Sequence, residues 1–219
     1  MSMPVTEEIA CPACGHKQDF VLWQSINVTL DPDLKQKVIS RELFKFTCDK
    51  CKEQTTIVYP TLYHDMAKLM MIWLALGPGT PDLDLGPMQS MMKGILKHDI
   101  MRVVRSHNEL VEKLLVFDAN LDDRVIEFMK LRLLPGLSED IPEVGELFFD
   151  SLADVEGEKV MNFVALTNSG IHRFSISFGA YEETAKGCER MLPDPNTVLG
   201  EPLRVDMDYV RALADGAST

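Results

Sequence analysis

Two cysteine pairs constrain this chain more than any other feature. Cys11-Pro12-Ala13-Cys14 and Cys48-Asp49-Lys50-Cys51 are separated by 33 residues. Two residues between cysteines let both sulfurs of one tight turn face a single point, with backbone N–H groups directed at them. Gly15, directly after Cys14, permits the positive φ that such a turn often needs. A small sheet that joins two such turns places four thiolates at the corners of a tetrahedron. The sequence therefore predicts one closed, structural Zn2+ site with Cys11, Cys14, Cys48 and Cys51 as ligands. A closed site stabilises a fold and leaves no coordination position for a substrate.

Redox chemistry is the main rival. Cys-Pro-x-Cys resembles the active-site pair of glutaredoxins, in which one thiol is activated at a helix N-terminus. Here Gly-His-Lys-Gln-Asp follows Cys14 and leads into a strand. No βαβ pattern surrounds the pair, and the redox reading leaves the second pair unexplained. A disulfide pairing belongs to exported chains, and MSMPVTEEIA at the start has no apolar core of a signal peptide. His16 and His64 lie near the pairs in sequence and are alternative ligands, but four thiols already complete a site.

The 33-residue gap is filled by a strand-helix-strand insert. QDFVLWQSINVTL (18–30) reads as a strand, and DPDLKQKVISREL (31–43) as a short helix with Asp31 as cap and Pro32 in its first position. LFKFT (43–47), TTIVYPTLY (55–63) and LMMIWLA (69–75) read as strands, with a turn over 64–68. GPGTPDLDLGP (77–87) reads as a linker. Beyond it, IMRVV (100–104) is strand-like. SHNELVEKLLVF (106–117) opens with a capping box, Ser106 and Glu109. NLDDRVIEFMKLRLL (120–134) is a helix capped by Asn120 and stopped at Pro135-Gly136. Strands follow at 146–152, 159–167 and 170–178, the last two joined by a turn over 167–170. Short helices are expected at 181–191 and 206–215.

The predicted fold class is α+β. A zinc-ribbon-like antiparallel sheet with an inserted helix occupies residues 8–76. The linker 77–87 and an acidic α+β segment, 88–219, with helices and a second small antiparallel sheet, follow and pack on it.

Charge narrows the partners. The formal net charge is -12, with 8 Lys/Arg against 9 Asp/Glu in residues 1–76 and 14 against 25 in residues 77–219. Nucleic acids are bound through clustered Lys and Arg, so the expected partner is a protein. A nucleic-acid ribbon would instead gather Lys17, Lys45, Lys50 and Lys52 on one face. The longest apolar run, LMMIWLAL (69–76), is far short of the ~20 residues that span a bilayer. The expectation is a cytoplasmic protein with no membrane partner.

With these features assembled, the chain resembles the CpXC domain family of bacterial proteins. The resemblance rests on Cys11-Pro12-Ala13-Cys14-Gly15, the Trp23–Asn27 strand, and Leu43-Phe44-Lys45-Phe46-Thr47-Cys48. It extends to Tyr63-His64-Asp65, Ile72-Trp73-Leu74, Phe117-Asp118 and the tract Leu121–Glu127. It covers roughly residues 8 to 134. Lys52 departs from the Gly that often follows the second pair. The resemblance implies the four-cysteine core and no particular activity.

Two further groups invite a functional reading. An enzyme would use a pocket at Tyr63, His64 and Asp65 for acid–base work, although turn chemistry explains Asp65 equally well. Asp118, Asp122 and Asp123 could bind a cation or partner, although helix capping and an Asp–Arg124 pair also account for them. His98, His107, His172 and the lone Cys188 carry no pattern of their own. The methionines Met70, Met71, Met88, Met91 and Met92 suit core filling or an adaptable surface. No phosphate loop, nucleophile elbow or zincin helix is present.

Overall fold

The computed structural model describes residues 1–75, 99–141, 144–194, 198–200 and 202–216. The expected linker at 77–87, the tract 88–98 with His98, and Met88, Met91 and Met92 lie outside the described residues. The chain divides into two compact units, Met1–Leu110 with Val198–Leu203, and Val111–Thr197 with Arg204–Thr219.

The first unit contains β1 (Met3–Ala10), β2 (Lys17–Asn27), α1 (Asp33–Ile39), β3 (Lys45–Thr47), β4 (Gln54–Thr56), β5 (Thr61–Asp65), β6 (Met70–Leu74) and β7 (Ile100–Val104). β3 and β4 form a two-stranded antiparallel sheet. The other strands form a five-stranded sheet in the order β1-β2-β5-β6-β7. Its pairings alternate: β1/β2 and β5/β6 are antiparallel, β2/β5 and β6/β7 parallel. In place of the expected antiparallel sheet the strands form a mixed one, because the chain between β2 and β5 is long enough to return in the same direction.

Strand alternation sorts the side chains of this sheet between two faces, and at β6 both are covered, with Met70, Met71, Ile72 and Leu74 all buried. Ile26, Tyr63 and Ile72 lie side by side in register and are fully buried. The same period puts His64 beside Met71, and Met71 beside Met101, on the opposite face.

Local chemistry sets the breaks. α1 is shorter than the expected 31–43 helix. Pro32 stands at its N-cap with no side-chain cap, and Asp31 instead accepts the Ser2 hydroxyl at 2.6 Å. Arg41 then turns left-handed, with φ of 61°, and starts a single 3-10 turn over Glu42–Phe44. The expected strand 55–63 is split between β4 and β5, with Pro60, which has no N–H to donate to a ladder, in the gap. β1 has no counterpart among the sequence-predicted strands.

The second unit carries most of α2 (His107–Asp118), then α3 (Asp123–Asp140), β8 (Val144–Val155), β9 (Glu158–Thr167), β10 (Gly170–Ser177), α4 (Gly179–Cys188) and α5 (Met207–Gly216). The order β10-β9-β8 is antiparallel throughout, and Thr167 pairs with Gly170 across the expected turn. Asp122, not Asn120, caps α3: its carboxylate accepts the Arg124 N–H at 2.9 Å. Asn120 is left-handed, with φ of 55°. α3 also runs through Pro135 to Asp140. Leu133, Leu134 and Leu137, on either side of the proline, pack against the core of Phe149, Met161 and Phe163. That packing outweighs the ~3 kcal/mol a proline costs inside a helix.

The same unit buries an ionic lattice. Lys113 of α2 meets Asp123 at 3.1 Å and Glu127 at 3.3 Å. Lys130 of α3 meets Glu112 at 2.7 Å and Glu127 at 3.0 Å. All five side chains are buried. The second carboxylate oxygen of Glu112 accepts the backbone N–H of Phe149 at 2.6 Å.

Candidate metal centre

Each cysteine pair sits on a turn between two antiparallel strands. Cys11–Cys14 joins β1 to β2, and Cys48–Cys51 joins β3 to β4. In the first turn the Cys11 N–H bonds the His16 carbonyl at 2.8 Å, and the Gly15 N–H bonds the Cys11 carbonyl at 2.9 Å. In the second, the Cys48 N–H bonds the Glu53 carbonyl, and the Lys52 N–H bonds the Cys48 carbonyl, both at 2.9 Å. The two turns are therefore copies of one knuckle.

The knuckles bring the four sulfurs together. Cys11 Sγ lies 3.7 Å from Cys51 Sγ, and Cys14 Sγ lies 3.7 Å from Cys48 Sγ. All four fall within 4.8 Å of one another, a group that could hold a metal ion. A regular tetrahedron with metal–sulfur bonds of about 2.3 Å has edges of about 3.8 Å. A disulfide would need about 2.0 Å, and all four cysteines are free thiols. In each knuckle the first cysteine is buried and the second exposed.

Backbone N–H groups, burial and neighbouring sulfurs shift the acidity of Cys48 and Cys51 in opposite directions. The N–H of Cys51 points at Cys48 Sγ, joined by that of Lys50, and with the neighbouring thiols these lower the Cys48 pKa to about 6 against the effect of desolvation. At Cys51 the Glu53 N–H lowers the pKa, but desolvation and the crowding of Cys14, Cys48 and Cys11 win and push it up to about 12. A bound cation would favour the thiolate form and so remove the penalty seen at Cys51.

Behind the sulfurs lies a thin apolar layer. Cys11, Phe46 and Cys48 are buried together, with Ile9, Phe20 and Ile57 packed on them. Phe20 and Phe46 meet edge to face, their centroids 5.8 Å apart. Gln18 of β2 reaches the second knuckle. Its Nε2 donates to the Thr47 carbonyl at 3.1 Å, and its Oε1 accepts the Asp49 N–H at 2.7 Å. Gln18 escapes sequence reasoning, because its partners lie 29 and 31 residues away.

The other sequence candidates are placed differently. Tyr63 and Asp65 point to the face that buries Ile26 and Ile72, and His64 points to the opposite one, beside Met71, so the three do not line one pocket. Asp65 Oδ1 accepts the N–H groups of Ala67 and Lys68, at 3.1 and 3.2 Å, which is turn chemistry. His64 Nε2 stands 3.7 Å from the buried carboxylate of Asp99, and desolvation nevertheless lowers its pKa. Asp122 forms the expected pair with Arg124, whose Nη2 lies 2.6 Å from Asp122 Oδ2. Asp123 turns inward to Lys113. Lys17 is engaged by Glu8 at 2.7 Å, while Lys45, Lys50 and Lys52 are exposed. The His107 ring packs on Phe44, and Cys188 is buried.

Fold and site together define an α+β protein with a four-cysteine centre able to hold a metal ion. A model of the CpXC protein family matches residues 9–130, more than half of the chain and the whole of this centre, and the chain belongs to that family. No curated protein and no solved structure matches it. No described helix is long and apolar enough to cross a membrane.

Proposed function

We propose that Cys11, Cys14, Cys48 and Cys51 bind one Zn2+ in a closed structural site, and that the protein serves as an interaction or scaffolding module. The observation that carries the metal reading is the cluster of four sulfurs on two matching knuckles, at separations that suit a tetrahedral ion. A four-thiolate set suits zinc or iron, and zinc provides the fixed, redox-inert link that a structural role needs. Among the described residues the apolar layer beneath the knuckles buries one side chain besides the cysteines, Phe46, with Ile9, Phe20 and Ile57 partly covered. A structural zinc adds about 10–16 kcal/mol of binding free energy to such a small lobe. With all four positions held by protein, the ion has no vacancy for substrate, which favours binding over catalysis. The net charge of -12 favours a protein partner over a nucleic acid, and the Lys17–Glu8 pair weakens the ribbon's basic face further.

Elemental analysis of protein purified without added metal, with parallel thiol titration, tests this reading. One zinc per chain and four protected thiols are expected. Iron in place of zinc, or no metal with two disulfides per chain, would refute it. A gel shift of the full chain on DNA or RNA at low salt tests the partner; binding that weakens steeply with salt would point to nucleic acid instead.

A further inference from the structure

The second knuckle has five consecutive backbone N–H groups, and four of them find partners within the knuckle. Lys50 and Cys51 point at Cys48 Sγ, and Glu53 at Cys51 Sγ. Lys52 bonds the Cys48 carbonyl. The remaining one, Asp49, bonds the side chain of Gln18 at 2.7 Å. The first knuckle lacks this problem, because the matching position is Pro12, which has no N–H.

From this asymmetry we infer that Gln18 is the positioning residue of the metal centre: its amide clamps Thr47 and Asp49, the two neighbours of Cys48, to the strand that leaves the other knuckle. The inference rests on the metal-centre reading. Gln18 lies at the start of β2, four residues after Cys14, and Ile9 is its partner on β1. Its two bonds, donated to Thr47 and accepted from Asp49, straddle Cys48. Cys48 cannot swing away from Cys14 without breaking one of them. Outer partners of this kind orient metal ligands, and their loss typically costs 10–100-fold in metal affinity. The clamp joins the two knuckles before an ion arrives, so less ordering remains to be done on binding.

The test uses the full-length zinc-loaded protein and follows zinc transfer to an excess of a chromophoric chelator. Gln18→Met keeps the length and removes both bonds. Gln18→Glu keeps the acceptor toward Asp49 and loses the donor toward Thr47. Release about tenfold faster is expected for Gln18→Met, with Gln18→Glu between it and wild type. The cobalt(II)-substituted Gln18→Met protein should show altered ligand-field bands while its far-ultraviolet circular dichroism stays that of wild type. Wild-type release rates and unchanged cobalt bands in both variants would overturn the clamp. Should Gln18→Met not fold, the Gln18→Glu rate decides alone, and a wild-type rate there is fatal to the inference. A wild-type chain that takes up neither ion removes the metal centre itself, and this role with it.

Discussion

Gly15 and Lys52 hold the same place in the two knuckles. Each follows the second cysteine of its pair and donates its N–H to the carbonyl of the first at 2.9 Å. Each is left-handed, with φ of 69° and 64°. For glycine this conformation is free; a side chain is disfavoured there by roughly 1–2 kcal/mol. The departure from glycine at Lys52 therefore changes the residue and not the turn.

Lys52→Gly should stabilise the metal-loaded protein by less than about 1 kcal/mol, since the relief is partly offset by the freer unfolded chain. Gly15→Ala should destabilise it by about 1 kcal/mol. A Cβ at Gly15 meets nothing within 4 Å, so that cost is one of backbone conformation alone. Thermal unfolding of the two variants in parallel checks both signs, and equal shifts in the same direction would contradict the matching of the turns.

Metal removal should act locally. Chelation is expected to abolish amide protection in β1, in the first half of β2 and in β3 and β4, where Phe46 and its partly buried neighbours Ile9, Phe20 and Ile57 cannot hold two hairpins. β9, whose Met161, Phe163 and Ala165 are fully buried, should keep its protection. Hydrogen exchange with and without chelator measures this.

The buried ions of α2 and α3 give a sharper test. Lys130→Met leaves Glu112 without its partner cation, while Glu127 keeps Lys113, and should destabilise by about 3–5 kcal/mol. Adding Glu112→Gln removes the stranded carboxylate and keeps an acceptor for Phe149. The double variant should therefore be more stable than Lys130→Met alone. Denaturant unfolding of the full cycle reads the coupling.

Glu112 also sets a pH dependence. Desolvation raises its pKa above the ordinary 4.5, with Lys130 opposing the rise. The native state therefore holds this proton more tightly than the unfolded chain does. Its contribution to stability is favourable at low pH and is lost as pH rises from 4.5 through the raised native value. Stability curves of wild type and Glu112→Gln should diverge across that window, with the loss seen only in wild type.

How much of this was legible from residue order depends on the range of the interaction. The grouping of Cys11, Cys14, Cys48 and Cys51 followed from two short spacings, each a property of one turn. The Thr167–Gly170 hairpin and β7 were equally local. β1 was not legible, because MPVTEEIA lies at the edge of its sheet and is exposed along most of its length, so burial imprints no period on it. The parallel pairing of β2 with β5 and the reach of Gln18 join residues tens of positions apart, which no window of sequence contains. At Pro135 the local rule was clear and was overridden by leucines on either side.

The bond from Phe149 to Glu112 has a consequence beyond stability. β8 is the outer strand of its three-stranded sheet, the kind of rim on which stray strands polymerise. A carboxylate already occupies one of the donors that an incoming strand would need, in the middle of the twelve-residue border. The side chain that joins helix to sheet thus also keeps that one N–H from a stray strand, so its loss would free a rung of the rim as well as weaken a contact.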